Sequence, residues 1–119
     1  MKSPASFEDL IENATQLNLY KSLVFQLNKD FILANIDLDL HEDILPSSLK
    51  LLLHEKVYNL IQNNFSSYLN LLYIIDVSEK KIKELDGSDA LKLSENVAFL
   101  ILIRVWQKVW FRNKYSNPS

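Results

Sequence analysis

Apolar positions fall into helical rows along most of this chain, and the densest row lies in residues 89–114. That stretch holds no Gly or Pro, so about seven turns of helix can run through it unbroken. At 100° per residue, Phe99, Leu102, Ile103, Trp106, Val109 and Trp110 gather on one side, with Leu93, Val97, Leu100 and Ile101 opposite. The first half of the helix is therefore apolar all round and needs other helices about it. Below Ile103 the second side changes to Arg104, Lys108 and Arg112, so the remainder is two-faced, with tryptophans in the core and bases toward water.

Earlier in the chain, Ser6-Phe7-Glu8-Asp9 has the form of a helix start, with Ser6 as N-cap and acids where the helix dipole favours them. Phe7, Leu10, Ala14, Leu17, Val24, Leu27, Phe31 and Ala34 then mark one face of a long helix, or of two helices broken near Asn18. Over 35–46 the period changes to two. Ile36, Leu38 and Leu40 alternate with Asp37, Asp39 and His41, as in an extended segment with alternate side chains on the core. A short strand would fit there, but no second strand is evident to pair with it. From Pro46 to Ile75 a helical stripe persists through Asn63-Asn64 and Ser66-Ser67, which predicts one helix with a soft middle. Asp76 and Ser78 can cap a short helix reaching Leu85. In the turn 86–89, Gly87 is placed to take the left-handed position, with Ser88 or Asp89 capping the last helix.

Composition fixes the class. A single glycine and three prolines leave little of the punctuation that hairpins require, whereas 22 leucines among good helix formers favour α structure. With 119 residues at 48% hydrophobic, one substantial core can form. The predicted fold is all-α, a small bundle of four to five helices around a long central C-terminal helix, in a single domain over 1–119 with a frayed tail from about 115. The absence of cysteine removes disulfides and thiolate chemistry. The first residues carry no secretory pattern, and the longest apolar run, 97–103, is far short of the roughly 20 residues that cross a bilayer. A cytoplasmic protein is expected.

The chemistry-bearing motifs are few. Asp37, Asp39, His41, Glu42 and Asp43 supply oxygens at alternate positions, as a divalent cation would need, but fail as an EF-hand. Counting from Asp37, the required glycine is Glu42 and the bidentate glutamate is Ser48. The segment reads as a solvated acidic surface, Asp37, Asp39, Glu42 and Asp43, available to Arg104, Lys108 or a partner. His54-Glu55 begins like a zincin helix, yet position 58 is Tyr58. One glycine excludes the P-loop and the dinucleotide fingerprint. A helix-turn-helix drawn over 78–100 would offer Val97-Ala98-Phe99-Leu100 where base-reading polar groups belong.

Charge is unevenly spread: residues 1–45 hold eight acids and three bases, whereas 96–119 hold four bases and no acid. Arg104, Lys108, Arg112 and Lys114 are accordingly the candidate anion- or partner-binding residues. The expected function is non-enzymatic, a protein acting through protein–protein contact as an adaptor or homodimer, with no cofactor and no metal. The alternative is binding of nucleic acid or an anionic membrane surface through the basic helix. A third class, an enzyme assembled from carboxylates and a histidine, would need a pocket with His54 or His41 and two carboxylates in hydrogen-bond reach.

Overall fold

The computed structural model describes residues 3–116 and contains six helices: α1 (Phe7–Gln16), α2 (Tyr20–Leu33), α3 (Pro46–Asn63), α4 (Phe65–Ile75), α5 (Glu79–Lys83) and α6 (Ala90–Ser116). Among the described residues there is no strand. The all-α bundle with a long C-terminal helix is thus the observed architecture. α6 is its axis, with α1, α2, α3 and α4 packed on it and α3 the most extensive neighbour. α6 continues through Tyr115 to Ser116, and the rest of the tail expected to fray lies outside the described residues.

How a chain with one glycine turns five corners is answered by its polar residues. Asn18, Asn35 and Asp76 all have positive φ, at 58°, 61° and 68°, the left-handed conformation that usually falls to glycine. After each of them the next N–H reaches back to close the helix end. Leu19 donates to Ala14 at 2.8 Å, Ile36 to Phe31 at 2.8 Å, and Val77 to Leu72 at 3.0 Å. In each case an apolar side chain follows the turn and folds back on the helix, as a Schellman ending requires. Gly87, by contrast, does not have positive φ. Its turn is held by the Asp86 carboxylate, which accepts from the Ser88 N–H at 2.9 Å; these hydrogen bonds hold the Asp86 pKa below its ordinary value. Asp89 caps α6, accepting from Leu91 and Lys92.

Residues 7–34 are therefore two helices, parted at Asn18. The single helix expected over 46–75 is also two. Asn64 adopts φ −151°, ψ 69° and its side chain accepts from the Ser67 N–H, so the amide that weakens the helix interior also caps the next helix. The break lets α4 leave the line of α3 and pack against α2 and α6.

Residues 36–45 form an irregular strap rather than a strand, with Asp39 in the left-handed region at φ 43°. Ile36 and Leu40 are buried while Asp37 and Asp39 are exposed, as the alternation predicts. Its backbone is satisfied by side chains. Asn28 donates to the Leu40 carbonyl and accepts from the Leu40 N–H, both at 2.8 Å, and the Tyr20 hydroxyl donates to Ile44 O at 2.6 Å. Burial raises the Tyr20 pKa. The core itself is aliphatic around two large rings, with Trp106, Phe31, Leu23, Leu27, Leu102 and Ile101 almost wholly buried.

Candidate functional site

The basic row of α6 is engaged by neighbouring helices although it stays partly in water, with Lys108 the most covered member and Arg112 exposed. Lys108 Nζ lies 2.5 Å from Asp30 Oδ2, Gln26 Nε2 donates to Asp30 Oδ1 at 2.9 Å, and Arg112 Nη2 donates to Gln26 Oε1 at 2.8 Å. Asp30 and Gln26 are 3% and 6% exposed, so this chain of contacts is a polar seam between α2 and α6 that is buried on the α2 side and opens to solvent at Arg112. One turn up, Arg104 donates from Nε to the Asp76 carbonyl at 3.1 Å and from Nη2 to its carboxylate at 3.2 Å, closing the left-handed end of α4. Residues four apart on α6 thus clamp two neighbouring helices in turn. Of these bases Lys108 is drawn into the seam, whereas Arg104 keeps about a third of its side chain exposed and Arg112 is exposed, so the strip is internally engaged without being removed from the surface. A straight α6 stacks them on one side, and α2 carries Gln26 and Asp30 four residues apart at matching height.

Lys114 is exposed, but it is not segregated from the aromatics as the helical wheel implies. Its Nζ lies 4.9 Å from the Trp110 ring centroid and 5.9 Å from that of Tyr115, and Trp110 is only part-buried. Phe111 and Tyr115 stack in parallel beside it, 6.1 Å apart. The acidic residues Asp37, Asp39, Glu42 and Asp43 are all exposed on the strap. They meet neither Arg104 nor Lys108; Asp43 pairs with Lys21 at 3.3 Å, both largely solvated. Among the described residues no group of His, Asp and Glu is arranged to hold a metal ion. No helix among them is long and apolar enough to cross a membrane.

An open groove of about 510 Å³ lies between α1, α3 and α6. Phe7, Leu53, Phe99 and Leu102 line it together with His54 and the carboxylates Glu8 and Glu95. Glu8 is bridged to Lys50 at 3.5 Å, whose Nζ sits 5.2 Å over Phe7. His54 turns elsewhere: Nε2 is 2.8 Å from Ser94 Oγ and 3.1 Å from the Leu91 carbonyl. Ser94 is fully buried and its hydroxyl donates to that same carbonyl at 2.9 Å. With a proton on Nε2 the ring donates toward both oxygens. The Ser94 hydroxyl is buried and bonded to the backbone, and Ser94 does not line the groove, which therefore offers no open space beside it for a substrate carbonyl. The pair pins the first turn of α6 to α3.

Sequence periodicity missed the feature that stands out on the surface. Phe65, Leu69 and Tyr73, spaced at four residues along α4, are 55%, 50% and 81% exposed. Their face also carries Ser66 and Asn70, both exposed, while Tyr68, Leu71, Leu72 and Ile75 fill the inner side. Residues 57–75 include no charged side chain, in a chain with 24% charged residues. A signal was present in the sequence: charge depletion over more than four turns exceeds what one buried stripe requires.

No protein-family model, no curated protein and no solved structure matches the chain.

Proposed function

We propose that this chain is a non-enzymatic helical interaction protein that engages another protein surface through the outer face of α4. The observation that carries the reading is the uncharged row Phe65, Leu69, Tyr73 held in water on a well-packed helix. Single exposed hydrophobes are ordinary on protein surfaces, but three on one face, with only neutral polar neighbours, have the composition of an interface centre. Phe65 rests against the Tyr68 ring, 5.2 Å between centroids, but Leu69 and Tyr73 are not needed to complete the core, which the opposite side of the helix supplies. The alternative of nucleic acid or anionic lipid draws less support, since Arg104, Lys108 and Arg112 are occupied within the chain and a strip so engaged offers few counterion-releasing contacts.

The test compares the native chain with Leu69→Lys as immobilised bait in extract from the source cells. Leu91→Lys is the control, because Leu91 is similarly exposed, at 59%, on a different helix. Partners held by the native chain and by the control, but lost with Leu69→Lys, are the expected result. Partners indifferent to Leu69, or lost only when Lys114 is replaced, would overturn the reading.

A further inference from the structure

Resting on that reading, we infer that the partner of α4 is a second copy of the same chain, related by a two-fold axis passing beside Leu69. The order of side chains along the row argues for it. An aromatic stands four residues before Leu69 and another four residues after, so the row is nearly the same read in either direction. Two such rows laid antiparallel bring Leu69 against Leu69 at the axis and Phe65 against Tyr73 at both ends. That is what an isologous interface requires, one patch complementary to itself. A heterologous partner imposes no such symmetry on the row.

Charge makes the same point. The chain is net negative, so a self-contact through an acidic surface such as the strap would set like charges together. The α4 face is the long uncharged tract of the molecule, and two copies can meet there without bringing Asp37, Asp39, Glu42 or Asp43 face to face. Antiparallel pairing also opposes the two helix dipoles, whereas parallel pairing would align them.

The size of the patch sets how tight the contact is. A fully covered aromatic contributes about 150–250 Å², and these side chains are half to four-fifths exposed, so the row offers on the order of 350 Å² per protomer. A standard interface needs about 800 Å² on each side. The dimer is therefore a weak, rapidly exchanging one, well below the size of a standard interface.

Sedimentation velocity of the full chain from about 10 µM to 1 mM tests this, with circular dichroism confirming that each variant is folded. The native chain is expected to pass from monomer to dimer over that range, and Leu69→Lys to remain monomeric, because two ammonium groups would meet at the axis. Phe65→Lys and Tyr73→Glu should each weaken self-association at least tenfold. Mixed in equal amounts they should associate more tightly than either alone, since one end of the mixed dimer pairs lysine with glutamate and the other keeps Tyr73 against Phe65. A native chain that stays monomeric at 1 mM, a Leu69→Lys chain that still dimerises, or a mixture no better than its components overturns the inference. If the native chain is monomeric yet holds a different protein in a Leu69-dependent way, the self-partner falls and the interaction reading stands; if it holds none, both fall.

Discussion

The basic row of α6 and the apolar row of α4 exchange the places that their chemistry suggests. Both repeat at four residues, and each lies along one side of its helix. Yet Arg104, Lys108 and Arg112 are engaged by Asp76, Asp30 and Gln26, with Lys108 drawn inward, while Phe65, Leu69 and Tyr73 are left in solvent. The difference teaches that the polarity of a row does not decide its exposure. What decides it is whether a neighbouring helix presents a matching row. α2 supplies Gln26 and Asp30 to α6, so Lys108 can be partly desolvated with its hydrogen bond kept, and Arg112 is tied down at the edge of the seam. α4 already fills its share of the core with Tyr68, Leu71, Leu72 and Ile75, so its second apolar row has nothing left to cover.

The largest expected effect lies on the side of α6 facing the core. Trp106→Ala empties a site that is 1% exposed and should cost about 3–5 kcal/mol, measured by urea unfolding. Asp30→Ala comes next. It strands the Lys108 ammonium and frees the Gln26 amide, and because the Lys108 side chain is 25% exposed and can swing toward water, the loss should be about 2–3 kcal/mol instead of the full cost of a buried orphan charge. The loss should be nearly the same at 0.05 and 0.5 M salt. An Asp30→Ala chain as stable as the native one would mean that Lys108 gains nothing from the seam, and would break the contrast.

Much of this fold is legible in the residues themselves. Ser6 caps α1, the alternation over 36–40 marks the strap, and the glycine-free run marks α6, because each depends on local chemistry. The break at Asn64 was not legible. The same asparagine weakens a helix interior and caps a helix start, and only the pull of α2 and α6 on α4 selects the second role. The left-handed turns fall elsewhere than the glycine rule places them: glycine is the common bearer, but Asn18, Asn35 and Asp76 carry positive φ here and Gly87 does not. As for the site, a helical wheel places Arg104, Lys108 and Arg112 on one side correctly but says nothing of which neighbour meets that side. It also gives α3 and α4 one common stripe, and so hides the second row that the break turns outward.

Smaller effects sharpen the comparison further. Arg104→Ala removes two hydrogen bonds to Asp76, whose side chain is 82% exposed, and should cost about 0.5–1 kcal/mol, diminishing with salt where the Asp30 effect does not. Leu69→Lys should change monomer stability by no more than about 0.5 kcal/mol, since the side chain supports no packing that the inner face of α4 lacks. A loss above about 1.5 kcal/mol would mean that Leu69 serves the fold and not a surface.

The most direct measurement is hydroxyl-radical footprinting of the native chain at about 5 µM and at about 1 mM, read residue by residue by mass spectrometry. Phe65, Leu69 and Tyr73 should be modified readily in the dilute sample and protected in the concentrated one. Phe25 and Tyr115, comparably exposed at 65% and 73%, should react alike in both. Protection that appears around Tyr115 and Phe111 while Tyr73 reacts unchanged would contradict the account and move the interacting surface to the end of α6.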